Sequence, residues 1–158
     1  MKSKESTCCF TWHRTFSPKK IERIIKKLNE EIDRLIRKGV TNFISGGAMG
    51  FDQIAASMVI GKKQQGIDIR LILALPCRNQ DEKWTDRQRQ LYRSLIGEAD
   101  EVKYISDEYT LDCMKERNQY MVDNSAYCIC ELTRPVSGTA QPVRYAKLQG
   151  LEINNVAK

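Results

Sequence analysis

The sequence predicts an α/β fold, a Rossmann-like three-layer α/β/α arrangement with a mostly parallel sheet. Two patterns carry this expectation. Short apolar segments alternate with segments of helical period along the whole chain. One of the strand candidates, "IRLILAL", is almost entirely apolar, as a strand covered on both faces must be. At 158 residues the chain suits one domain with a sizeable core. No linker, internal repeat or low-complexity segment divides 1–158.

The elements follow in order. "TCCFTW" is the first strand candidate. Ser17 and Pro18 offer an N-cap and a first helical residue. In the helix that follows, Ile21, Ile24, Ile25, Leu28, Ile32, Leu35 and Ile36 share a face, and Gly39 ends it. "TNFIS" is the second strand, followed by a glycine turn and a helix from Gly50 to Gln64. "IRLILAL" is the third strand, stopped by Pro76. Thr85 introduces a helix over Asp86 to Gly97. "DEVKYI" is the fourth strand and "LDCMKERNQYMVDNS" the next helix, with Thr110 as its cap. "AYCICEL" is the fifth strand, "TAQPVRYAKLQG" the last helix and "LEINNV" the sixth strand.

Composition narrows the function classes. Hydrophobic residues make up 41% and charged residues 29%, an ordinary globular balance. No apolar run approaches the ~20 residues that span a bilayer. "MKSKESTCCF" lacks the apolar centre and cleavage site of a signal peptide, so a cytoplasmic protein without membrane partners is expected. The six cysteines form no CxxC, and His13 is the single histidine, so no metal site is expected and the thiols read as buried and free. The net charge of +6 comes largely from "KKIERIIKKLNEEIDRLIRKG", where both signs alternate around an amphipathic helix. That pattern reads as a solvated face before it reads as a nucleic-acid patch.

Right-handed crossovers place every parallel strand's C-terminus on one edge, where ligands of such folds bind. Three loops fall there. After the first strand come Thr11, His13 and Arg14. After the second come Gly46, Gly47, Ala48, Met49, Gly50 and Asp52. After the fifth come Ser137, Gly138 and Thr139. The GGxxG spacing is neither a dinucleotide fingerprint nor a Walker A loop. Its glycines and the helix N-terminus beyond them still suit an anion. Spacing alone does not separate this from a tight turn that needs glycine for geometry. Asp52 complements the helix dipole; facing a pocket, it would hold a sugar hydroxyl or act in acid–base chemistry. Arg117 and Asn118 lie on the fourth helix, where Met114 and Met121 read as core and Arg117 would reach a phosphate if that helix approached the edge.

These motifs in this order resemble the SLOG superfamily, the Rossmann-like group that includes the LOG phosphoribohydrolases and the DNA-processing protein DprA. They are most similar to its DUF1273, or YpsA-like, subgroup. The resemblance rests on "CCFTWHR", "FISGGAMGFDQIAA", "LILALPCRNQDEKW", "DEVKYIS", "CMKERNQYMVDNS" and "SGTAQPVRYAKLQG", spanning nearly the whole chain. It implies a site for a nucleotide or nucleotide-derived ligand built from the three loops. Arg117 then corresponds to the active-site arginine of the phosphoribohydrolases. Those enzymes carry adjacent glutamates after the Gly-Thr turn, whereas Ala140, Gln141 and Pro142 follow Thr139 here. Trp12 stands where the subgroup usually has glycine; stacking on a base and filling a phosphate's space both stay open.

The leading expectation is a nucleotide-binding sensor or sequestering module without a cofactor. The alternative is a nucleotide N-glycosidase, with Asp52 as general acid or base and Arg117 orienting phosphate. Single-stranded nucleic-acid binding ranks third, for want of basic runs interleaved with aromatics. Superfamily relatives imply a homo-oligomer.

Overall fold

A computed structural model describes residues 3–12, 20–132 and 141–157. Six strands, β1 (Thr7–Trp12), β2 (Asn42–Ser45), β3 (Arg70–Cys77), β4 (Glu101–Ser106), β5 (Tyr127–Glu131) and β6 (Glu152–Asn155), form one sheet. Five helices, α1 (Ile21–Arg37), α2 (Phe51–Gln64), α3 (Asp86–Glu98), α4 (Cys113–Asp123) and α5 (Gln141–Leu148), alternate with them. The sheet order is β4-β3-β2-β1-β5-β6 and every pairing is parallel. The expected three-layer Rossmann-like fold is the observed one.

Two cores flank the sheet, because residues facing both ways along its central strands are apolar. Phe10, Phe43, Leu71, Leu73 and Ile129 pack with α1, α2 and α3. Cys9, Ile44, Ile72, Cys128 and Cys130 pack on the other face with Met121 and Val122 of α4 and Val143 and Ala146 of α5. Phe10 anchors the first core, stacked on Phe43 at 6.1 Å and edge-on to Phe51 at 6.3 Å. Each such fully buried large side chain contributes about 1.5–3 kcal/mol.

Helix α1 buries Ile24, Leu28, Ile32 and Leu35, a narrower stripe than expected; Ile25 lies at its rim, 38% exposed. Lys62 of α2 ties the two helices together through Asn29 at 2.6 Å and Asp33 at 2.7 Å. Ser17 and Pro18 lie outside the described residues.

Two boundary expectations are corrected. Strand β3 continues through Pro76 to Cys77. Its neighbour β2 ends at Ser45, opposite Leu73, while Leu75 and Cys77 pair with Tyr104 and Ser106 of β4. Pro76 therefore sits where one side of the strand has become an edge, and its missing N–H costs no ladder bond. Helix α4 starts at Cys113, and its N-cap is Asp112, without a side-chain capping bond. Thr110 contributes only its carbonyl, which accepts from Cys113 N–H at 3.4 Å. Thr85, by contrast, forms a full capping box with Gln88.

All six cysteines are buried, as expected. Burial pushes the Cys8 thiol well above its ordinary range. Among the described residues no helix is long and apolar enough to cross a membrane, and no cluster of three His, Cys, Asp or Glu side chains is placed to hold a metal.

Candidate functional site

In the sheet β2, β1 and β5 are adjacent and parallel, so their C-terminal ends lie side by side on one edge. Strand order reverses between β1 and β5, because β2, β3 and β4 add on one side of β1 and β5 and β6 on the other. That is where open parallel sheets bind ligands. Thr11 lies at this edge, buried, its hydroxyl 3.5 Å from the Cys128 sulfur. His13, Arg14, Ser137, Gly138 and Thr139 lie outside the described residues.

The glycine turn is built from β2 outward. Ser45 Oγ donates to the Asp52 carbonyl at 2.8 Å and accepts from Gly47 N–H at 3.3 Å, closing the turn onto the first turn of α2. Gln53 Nε2 donates to Gly47 O at 3.1 Å. Gly47 and Gly50 have φ of +72° and +93°, a conformation that glycine adopts without strain. A Cβ on Gly47 would also stand 2.6 Å from Leu75 Cδ2. At these two positions the chain needs glycine for the turn itself.

Gly46 is different: its φ is not in the left-handed range. A Cβ there would stand 2.5 Å from Arg117 Nη1 and 2.8 Å from Asp52 Oδ2. The missing side chain makes room for two of the protein's own charged groups. Arg117 reaches over the sheet edge from α4, is only 6% exposed, and donates from Nη1 to Gly46 O at 2.7 Å and from Nε to Asn118 Oδ1 at 2.9 Å. Its Nη2 points to Met114 Sδ at 3.6 Å, a soft acceptor. Met114 itself is 41% exposed, so of the two methionines only Met121 is core.

Asp52 is 3% exposed. Its Oδ2 accepts from Ala48 N–H at 3.2 Å, while its buried Oδ1 has no hydrogen-bond partner. Burial pushes the carboxyl up to about 6; the Arg117 charge and the Ala48 N–H oppose that rise without cancelling it. The same burial lowers Arg117 from its ordinary value, partly offset by Asp52. An orphan carboxylate oxygen beside a buried arginine is a costly arrangement for folding alone. With a pKa of about 6, Asp52 can exchange a proton near neutrality, and Arg117 can present a planar donor fork to an oxyanion.

The turn thus does two things that spacing did not reveal. Gly46 clears space for Arg117 and Asp52, and the Ala48 N–H, expected to face a phosphate, is held by the Asp52 carboxylate. Met49 is 37% exposed at the start of α2. A shallow groove of about 500 Å³ runs along the outer side of α2 and α3, bordered among the described residues by Gly50, Gln53, Ile54, Ser57, Met58 and Leu91. It shares only Gly50 with the turn, and neither Asp52 nor Arg117 borders it. The buried pair therefore marks the site better than the groove does.

Sequence reading also passed over Glu131. It is the last residue of β5, fully buried, and faces Trp12 in the parallel register. The signal was present: a carboxylate closing the otherwise apolar "YCIC" strand.

The fold is a Rossmann-like one of the kind seen in DprA. The chain superposes on DNA processing protein A from Helicobacter pylori with a TM-score of 0.66 at 17% identity, covering 96% of this chain and 64% of that one. For DNA processing protein A from Streptococcus pneumoniae the values are 0.62, 18%, 95% and 50%. At these identities the likeness is one of fold.

Within that class the assignment is narrower. The YpsA (YspA SLOG) family model matches residues 14–149, and the chain belongs to that family. It is 32% identical over 134 residues to the uncharacterized SPbeta prophage-derived protein YoqJ of Bacillus subtilis, covering 77% of this chain and 78% of that protein. A UPF0398 protein of Brevibacillus brevis is 29% identical over 108 residues, 65% of this chain and 56% of its own length. The match thus spans little more than half the length of that UPF0398 relative.

Proposed function

We propose that this protein binds a nucleotide or nucleotide-derived ligand at the carboxyl edge of β2, β1 and β5. The observation that carries this reading is the buried Arg117–Gly46–Asp52 constellation. A guanidinium whose Nη2 faces only a soft sulfur is buried close to a carboxyl with one oxygen unpartnered, at the edge where open parallel sheets take ligands. In this reading Arg117 meets a phosphate oxygen, and Asp52 gives up the Ala48 N–H to the anion and turns to a sugar hydroxyl. Asp52 with a pKa of about 6 is also suited to proton transfer.

The test is thermal melting of the purified protein with AMP, ADP-ribose, NAD and cyclic nucleotides. A rise in melting temperature with at least one of them, absent in Arg117→Met, supports binding. No shift with any member overturns it. Chromatography of the same mixtures reads out any cleavage of the N-glycosidic bond, and sedimentation of the same sample tests the expected homo-oligomer.

A second reading is single-stranded nucleic-acid binding. It is favoured by the structural neighbour from Helicobacter pylori, which is described by its single-stranded DNA binding mode, and by the net charge of +6. Retention of a labelled oligonucleotide that weakens steeply with salt would support it.

A further inference from the structure

We infer that the outer face of α2 and α3 is a docking surface for a second copy of this chain, the two copies meeting about a two-fold axis with their α3 helices antiparallel. The inference stands independently of the nucleotide reading.

Helix α2 is not built like a solvated helix. From Gln53 to Gly61 it carries no charged residue, although 29% of the chain is charged. Gly50, Ile54, Ser57 and Met58 fall on one side of it at helical spacing and line the groove of about 500 Å³. Ile54 and Met58 are half-buried there, and Leu91 of α3 borders the same groove, 48% exposed. A surface helix ordinarily turns a charged or polar face to water. This one turns an uncharged groove outward with an apolar knob beside it, which marks a contact surface.

The charges of α3 say what the partner is. Arg87, Leu91, Ser94 and Glu98 are all exposed and stand at i, i+4, i+7 and i+11, so they form one stripe that passes the groove at Leu91. Arg87 sits in the first turn and Glu98 ends the helix, the reverse of what the helix dipole favours. Neither side chain has a hydrogen-bond or ion-pair partner among the described residues. An antiparallel copy of the same stripe supplies both. It brings Arg87 of each copy against Glu98 of the other, and Leu91 against Ser94, because both pairs are centred on one point between Tyr92 and Arg93.

Such a contact is self-complementary, as a two-fold interface must be. Opposite charges meet at both ends, and the Leu91 knob of each copy lies against the uncharged groove of the other. Copies that each carry a net charge of +6 repel at most orientations, so an uncharged face with paired opposite charges at its ends is where they can meet. A nucleic acid finds no cation in this groove for its phosphates. The groove begins at Gly50, and Gln53, which also lines it, donates to Gly47 O at 3.1 Å. The paired face therefore borders the glycine turn.

The experiment is sedimentation equilibrium of the full chain over a concentration series. It compares the wild type with Leu91→Glu, Arg87→Glu, Glu98→Arg and the double exchange Arg87→Glu/Glu98→Arg. The wild type is expected to show a reversible monomer–dimer equilibrium. Leu91→Glu should weaken it by about a hundredfold, and each single charge reversal by about tenfold. The double exchange should return it to within about threefold of the wild type. Melting of dilute, monomeric samples should be nearly the same for wild type and Leu91→Glu, since Leu91 is a surface residue. A wild type that stays monomeric at every concentration overturns the inference, and so does a dimer that Leu91→Glu leaves intact. Single reversals without effect, or a double exchange that does not restore what they weaken, overturn the antiparallel pairing. The charge exchange decides the matter even if Leu91→Glu fails to fold.

Discussion

Arg117 and Gly46 are 71 positions apart in sequence, yet the Arg117 guanidinium donates to the Gly46 carbonyl at 2.7 Å and fills the space of the side chain that Gly46 lacks. The small residue on β2's loop and the large one on α4 are two halves of one contact.

Gly46→Ala should destabilise the protein by about 1–3 kcal/mol, because the new Cβ displaces Arg117 or Asp52. Its backbone conformation suits alanine, so the effect is steric. Gly97→Ala in α3 meets nothing within 4 Å and should instead stabilise by roughly 0.5–1 kcal/mol. Urea midpoints of the two variants measure the contrast. Nucleotide-induced melting shifts should vanish only in Gly46→Ala.

Asp52 predicts the direction of the pH dependence. Its carboxyl titrates at about 6 in the folded state against 3.8 ordinarily, so between these values the folded protein holds the extra proton. The stabilising contribution is complete below about pH 3.8 and is lost as pH rises through about 6. At about 1.4 kcal/mol per tenfold change, the loss is on the order of 3 kcal/mol. Asp52→Asn should remove that loss and be the more stable protein at pH 8, while binding ligand more weakly. Denaturation midpoints from pH 4 to 8 would sink this if both proteins ran parallel.

Arg117→Lys should retain the charge but not the simultaneous bonds to Gly46 O and Asn118 Oδ1. A loss of roughly 1–3 kcal/mol in stability is expected, with ligand affinity falling by about tenfold or more. Arg117→Met should also raise the Asp52 carboxyl above its present value of about 6, since the arginine charge opposes the rise. Carboxyl titration by NMR reads this directly.

Thr85→Ala supplies a control away from the site. Loss of the capping box with Gln88 should cost about 1 kcal/mol and leave ligand binding unchanged. A changed affinity would mean that α3 communicates with the edge.

Much of this protein was legible in its sequence. The alternation of "IRLILAL" and its companions with amphipathic segments determined an α/β fold, since burial on both faces demands continuous apolar strands. The parallel sheet then put the C-terminal ends of β1, β2 and β5 on one edge, and the glycine turn and Arg117 were identifiable from residue type and order. What the linear pattern does not encode is which side chains meet across the edge. Only the tertiary structure decided that Gly46 yields its space to Arg117 and Asp52, that Asp52 takes the Ala48 N–H, and that Met114 faces solvent while Met121 is core. It also brought Glu131 to the switch point, because β5 inserts beside β1 rather than beside β4. These are outcomes of packing between segments distant in sequence, and local periodicity carries no information about such contacts.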